Sequence, residues 1–218
     1  MMKALLFDLD GTLCDTLGDL TASMNYVLRT FDYPVCTVDE MRGYVGNGLQ
    51  MQVRRAMPTD APASHLASGA ALFMAHYAKH CTDHTAPYPG MAETVAKLRE
   101  SGLRLAVITN KPHESAVRIV STVFPADTFE IVAGNLPGGP LKPDPAPLLD
   151  AMAALGVTPF EAAYVGDSDV DVRFAHAAGL RCCGCAWGFR GRTHLEQAGA
   201  DVVLDRPEQL LDILREDV

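Results

Sequence analysis

Lys3-Ala4-Leu5-Leu6-Phe7-Asp8-Leu9-Asp10-Gly11-Thr12 is the stretch from which the fold is read. Lys3–Phe7 is a short apolar strand that breaks into the acidic loop Asp8–Leu13. The next segment is helical: Leu20, Met24, Val27, Leu28 and Phe31 recur at the spacing of one helix face. Thr37 and Glu40 form a capping-box pair, and Gly43, Gly46 and Gly48 interrupt before a helical pattern resumes over Leu49–Met57. A further helix fits Ser64–His80, with Leu66, Ala70, Phe73 and Tyr77 on one side. From Tyr88-Pro89-Gly90 onward helix and strand alternate. Helices are expected over Met91–Ser101, near His113–Val123, over Ala146–Leu155 and Val170–Ala178, and from Pro207; strands over Leu103–Ile108, Phe129–Ala133, Ala163–Val165, Arg181–Ala186 and Val202–Leu204. Such alternation predicts an α/β core with a parallel sheet covered by helices on both faces. Residues 1–14 and 87–218 form that core, and 15–86 a helical insert.

Composition narrows the function. The 218 residues carry 27 Asp+Glu against 18 Lys+Arg, a formal charge of −9, which argues against holding nucleic acid through its phosphates or docking on an anionic membrane. A hydrophobic share of 48% with 21% charged residues suits a globular chain with a sizeable core. The longest apolar stretch, around residues 70–75, is far short of a membrane span, and no export signal is visible after Lys3. The cysteines Cys14, Cys36, Cys81, Cys182, Cys183 and Cys185 therefore read as reduced thiols of a cytoplasmic protein. Oligomeric state is not readable.

Polar residues gather beyond the carboxyl ends of the predicted strands: Asp8 and Asp10, then Thr109 and Asn110, then Asp167 and Asp171. In open α/β sheets this edge binds ligands. Four carboxylates brought together there need a cation, and hard oxygen donors without His or Cys suit Mg²⁺. Lys142, between Leu141 and Pro143, is the one basic candidate.

Asp8-Leu9-Asp10-Gly11-Thr12, Ile108-Thr109-Asn110, Leu141-Lys142-Pro143 and Gly166-Asp167-Ser168-Asp169-Val170-Asp171 together resemble the four motifs of the haloacid dehalogenase superfamily, in order and across the whole core. Tyr88-Pro89-Gly90-Met91, Gly43–Gly48 and Trp187-Gly188-Phe189 are similar to its phosphoglycolate phosphatase branch. The resemblance implies a Rossmann-like core with an inserted α-helical cap, and a Mg²⁺-dependent phosphomonoesterase acting on a small phosphorylated substrate, 2-phosphoglycolate first. It makes Asp8 the nucleophile, Asp10 the general acid and base, and Asp8, the Asp10 carbonyl and Asp167 the metal ligands, with Asp171 behind them. Thr109, Asn110 and Lys142 would hold the phosphoryl group, and Gly46, Asn47 and Gly48 would form the substrate loop of the cap. Crowding by carboxylates is expected to keep a proton on Asp10. An aspartate at position 10 disfavours dehalogenase and phosphonatase chemistry. A sugar phosphomutase, a phosphatase for another ester or pyrophosphate, and a non-catalytic phospho-accepting or ligand-binding module are the alternatives.

Two clusters offer competing chemistry. His76, His80, Cys81 and His84 have partial zinc-ligand spacing but lack the HExxH glutamate, so a polar hinge face is preferred. Cys182, Cys183 and Cys185 fall in a strand whose alternate residues point apart, so they read as small buried residues. Asp169 reads as a charge at a helix start.

Overall fold

A computed structural model describes residues 2–46 and 48–213. The chain forms two compact units, Met1–Asp15 with Pro87–Val218, and Thr16–Ala86.

The unit Thr16–Ala86 contains four helices among its described residues: α1 (Leu17–Thr30), α2 (Val38–Tyr44), α3 (Leu49–Ala56) and α4 (Ala63–His80). Leu20, Met24, Val27 and Leu28 are buried along α1, and Phe73 and Tyr77 along α4. A Cβ on Gly69 would come 2.5 Å from Met57 Cε, so glycine allows the close approach of α4 to Met57, Val27 and Val53. The Thr37–Glu40 capping box is present at the start of α2. Buried Asp19 ties α1 to the end of the unit by accepting hydrogen bonds from the His84 and Thr85 amides and the Thr85 hydroxyl. The histidines form no metal-ligand group among the described residues, although the His76 and His80 rings stack at 4.4 Å. His76 Nδ1 faces Ser23 Oγ at 3.0 Å, His80 pairs with Asp83 at 2.8 Å, and His84 lies 3.4 Å from Asp19. No helix among the described residues is long and apolar enough to cross a membrane.

In the other unit, β1 (Ala4–Phe7) is wholly buried. Strands β2 (Cys14–Asp15) and β3 (Ala86–Pro87) form a separate two-stranded sheet. The main sheet adds β4 (Arg104–Pro112), β5 (Ile131–Asn135), β6 (Ala162–Gly166), β7 (Arg181–Cys185) and β8 (Val202–Leu204), all parallel, in the order β5-β4-β1-β6-β7-β8. Helices α5 (Met91–Glu100), α6 (His113–Val123), α7 (Ala146–Leu155), α8 (Asp169–Ala177) and α9 (Arg192–Ala198) complete it. Ala4, Leu6, Ile108, Tyr164 and Cys182 pack with Leu148, Met152 and Phe174 in one buried cluster. Phe7 alternates to the opposite face, where its ring meets Phe129 edge-on at 6.1 Å. Register places the site: Phe7 stands beside Val107 on one side and Val165 on the other. Asp8 therefore emerges at the same sheet edge as Thr109 and Asp167.

Three elements depart from the sequence pattern. β4 continues past Ile108 to Pro112, with a register shift against β5, because the backbone stays extended through the polar residues that broke the apolar run. α9 was invisible as a periodic pattern because it buries one residue, Leu195, between Gly191 and Gly199. From Pro207 the chain makes a 3-10 turn to Leu211 in place of an α-helix; residues 214–218 lie outside the described part.

Candidate active site

Carboxylate oxygens of Asp8, Asp167 and Asp171 lie within 4.8 Å of one another, and all three residues are buried. They are the one such group of potential metal ligands among the described residues. Lys142 supplies the facing cation. Its Nζ lies 2.7 Å from Asp171 Oδ1 and 2.9 Å from Asp8 Oδ1, and it donates to Tyr164 Oη at 3.1 Å. Tyr164 in turn donates to the Ile108 carbonyl at 2.7 Å. Burial depresses the Lys142 ammonium, but the Asp171 and Asp8 carboxylates outweigh it and hold the group above the ordinary lysine range.

The carboxylates move the opposite way. Burial pushes Asp8 up to about 6, opposed by Lys142 and reinforced by Asp171. Burial also drives Asp167 well above the usual carboxylate range, with Asp171 and Asp8 adding to it. Three carboxylates against one ammonium leave a net negative site that a divalent cation would neutralise. The donor set is hard oxygen without His or Cys, as Mg²⁺ requires. Asp8 Oδ1 has no close polar partner besides the Lys142 ammonium 2.9 Å away, and it keeps accepting capacity.

The surrounding backbone holds these groups. Ser168 caps α8, and Asp171 Oδ2 accepts from the Ser168 hydroxyl at 2.6 Å and from the Ser168 and Asp167 amides. Asp167 Oδ2 accepts from the Phe189 amide at 2.7 Å. A Cβ on Gly188 would sit 2.4 Å from both Asp167 Cβ and the Gly11 carbonyl, so glycine there is a packing requirement. The Trp187 indole donates to the Thr12 carbonyl at 3.0 Å.

Asn110 clamps Lys142. Its Oδ1 accepts from the Lys142 amide at 2.7 Å and its Nδ2 donates to the Lys142 carbonyl at 3.3 Å. Thr109 is buried, and its Oγ1 accepts from the Lys111 amide. The Asp10 carboxylate is not one of the three grouped ligands; it adds to the repulsion on Asp8, and Lys111 Nζ lies 2.7 Å from its Oδ1. One expectation is corrected by this pair: Lys142 is not the one basic residue of the region, because Lys111 faces Asp10. Asp169 pairs with Arg173 and His194 at the start of α8.

Lys111 and Tyr164 were missed in the sequence. Lys111 follows Thr109 by two residues, the strand period that puts both on one side. Tyr164 is a hydroxyl in an apolar strand, and a buried tyrosine needs a partner. In the other unit, Gly46 and Gly48 have positive φ, 110° and 82°, and Arg55 donates to the carbonyls of Tyr44 and Gly46. Asn47 lies outside the described residues. All six cysteines are buried and none is in a disulfide, and burial drives the Cys182 and Cys185 thiols well above the usual range.

A family model described as haloacid dehalogenase-like hydrolase matches residues 5–185. A phosphoglycolate phosphatase of Pseudomonas putida is 35% identical over 214 residues, covering 96% of this chain and 78% of the relative. One from Chromobacterium violaceum is 33% identical, covering 98% and 97%. Among solved structures, a predicted phosphoglycolate phosphatase from Haemophilus somnus superposes with a TM-score of 0.90 at 28% identity, covering 98% of each chain. CbbY from Rhodobacter sphaeroides, solved in complex with phosphate, gives 0.75 at 29%, covering 96% of each.

Proposed function

The chain belongs to the haloacid dehalogenase-like hydrolases, and on that premise we propose that it is a Mg²⁺-dependent phosphatase hydrolysing 2-phosphoglycolate to glycolate and phosphate. One observation carries the chemistry: a buried aspartate, Asp8, sits beside a buried lysine and two further carboxylates, Asp167 after β6 and Asp171 in the first turn of α8. The substrate rests on relatives named phosphoglycolate phosphatase at about a third identity.

Asp8 attacks phosphorus, the ester P–O bond breaks, and Asp10 gives its proton to the departing alkoxide. Asp10 then takes a proton from water as the water attacks the aspartyl-phosphate. The P–O bond to Asp8 breaks and the carboxylate is restored. Lys142 offsets charge on Asp8 and on the phosphoryl oxygens. Thr109 and the Asn110 amide hold the other oxygens, while the Asn110 side chain fixes Lys142. Asp8, Asp167 and the Asp10 carbonyl would hold Mg²⁺, which supplies charge compensation where phosphate anion meets carboxylate. Asp171 acts from behind, through Lys142 and the Ser168 turn. Gly46, Asn47 and Gly48 keep the substrate-loop role that their motif suggests. The proposed location is the cytoplasm, in keeping with six buried cysteines outside any disulfide.

Phosphate release from 2-phosphoglycolate, 3-phosphoglycerate, hexose phosphates and pyrophosphate, with Mg²⁺ and with chelator, tests this. The expected ranking by kcat/KM puts 2-phosphoglycolate first. A different leading ester refutes the substrate, and no Mg²⁺-dependent release from any ester refutes the phosphatase. Isomerisation of a hexose phosphate without net phosphate release favours a mutase.

Proton competition gives a second expected result. With Asp8 raised from 3.8 to about 6, its ligand oxygen is increasingly protonated below that value. Mg²⁺ affinity, measured by calorimetry without substrate, should weaken as pH falls from about 7.5 to about 5, because ligands bind metal deprotonated. An affinity unchanged across that window contradicts the assignment of Asp8 as a ligand.

A further inference from the structure

Lys111 has no part in the chemistry above, yet its side chain is among the most enclosed charges of the core, 2% exposed against 19% for its partner Asp10. Its Nζ lies 2.7 Å from Asp10 Oδ1, the length of a charge-assisted hydrogen bond. Both ends of this link are anchored. Lys111 sits in β4 within the register shift between Ile108 and Pro112, and its backbone is hemmed by Gly134, where a Cβ would come 2.6 Å from the Lys111 carbonyl. The Asp10 backbone is held by its bridge to Cys14 and by the turn in which the Gly11 amide donates to the Cys14 carbonyl. With both backbones held, the rotamer of Asp10 decides where its carboxylate points, and a partly exposed carboxylate has several staggered rotamers to choose from.

We propose that Lys111 is a positioning residue that fixes the Asp10 carboxylate for proton transfer at the leaving oxygen. This rests on the phosphatase reading, in which Asp10 protonates the departing alkoxide. The buried lysine stem is already ordered, so the carboxylate is aimed before substrate arrives, which is where orientation contributes most to rate.

Leaving-group dependence tests it. kcat/KM covers the steps up to formation of the aspartyl-phosphate, where an alkoxide needs a proton and 4-nitrophenolate does not. In Lys111→Met, kcat/KM for ethyl phosphate should fall by about 10²-fold, the scale of a misplaced catalytic group. For 4-nitrophenyl phosphate it should fall by less than about tenfold, since that step gains little from an acid. Lys111→Gln, whose amide can still donate to Asp10, should recover part of the loss. In an Asp10→Asn background, Lys111→Met should cost little more for either ester. A crystal structure of Lys111→Met should show the Asp10 carboxylate in another rotamer. Equal losses for both esters, or an unmoved Asp10, overturn the proposal. A loss confined to 2-phosphoglycolate, with ethyl phosphate unaffected, also overturns it and assigns Lys111 to the substrate carboxylate. If the wild type turns over no ester, the phosphatase reading fails, and the Lys111→Met structure alone still decides whether Lys111 holds Asp10.

Discussion

Replacing Asp8 by asparagine should lower kcat by about 10⁴ or more, the scale on which enzymes lose rate when the nucleophile is removed. The amide keeps the shape but cannot form the acyl phosphate, so no other group in the site substitutes for it. The fold should survive. Asp8 has a folded value near 6 against 3.8 unfolded, so its ionised form costs stability above about pH 6 and the cost vanishes below 3.8. Asparagine carries no such cost, and Lys142 retains Asp171 at 2.7 Å. The metal-free melting temperature of Asp8→Asn at about pH 7.5 should therefore be no lower than that of wild type, because no buried charge is left unpaired. Full activity in this variant would exclude Asp8 as nucleophile. A collapse in melting temperature would show that its charge supports the fold.

Lys142→Met removes the ammonium that faces Asp8 and Asp171. Turnover should fall by about 10²–10³, as when one preorganised electrostatic contact is lost. Stability of the metal-free protein should fall by about 3–5 kcal/mol, because the partners stay buried without their counter-charge. In a chain of this size that is a drop in Tm on the order of ten degrees. The pH dependence has a definite sign. Lys142 is raised above 10.5, so in wild type its stabilisation is complete below that value and is lost only as pH rises past the folded one. In the variant the uncompensated carboxylates take up protons, so the deficit against wild type should shrink on acidification from about pH 8 to about pH 5. A deficit constant over that range would contradict the mutual dependence of Lys142 and the carboxylates.

The fold was legible where side-chain pattern and local chemistry agree. Leu20 to Phe31 announced α1, Gly156 closed α7 at φ +60°, and the apolar run Ala4–Phe7 became the central buried strand. Tertiary packing accounts for the features that stayed hidden. α9 buries one side chain, too few for a period, and β4 runs on through Thr109, Asn110 and Lys111 as extended backbone across its register shift, pairing with β5 again at Pro112. The candidate site reads in the sequence as motif residues beyond the apolar runs, Asp8, Thr109, Lys142, Asp167 and Asp171. Their mutual arrangement is not legible there: the pairing of Asp10 with Lys111 spans 101 positions. The Asn110 side chain is engaged on the backbone of Lys142, 32 positions away. Register between parallel strands sets such distances, and a single sequence does not carry it.

The covalent intermediate is the central claim, and its capture tests it most directly. With 4-nitrophenyl phosphate and Mg²⁺, Asp10→Asn should still form the aspartyl-phosphate, because the leaving group needs no proton, yet should release it slowly for want of a base. Acid quenching during turnover, followed by intact mass and peptide mapping, should find one phosphoryl group on the peptide containing Asp8. The adduct should be absent from the Asp8→Asn, Asp10→Asn double variant. A phosphoryl group mapped elsewhere, or turnover with no adduct at any quench time, would contradict the covalent mechanism.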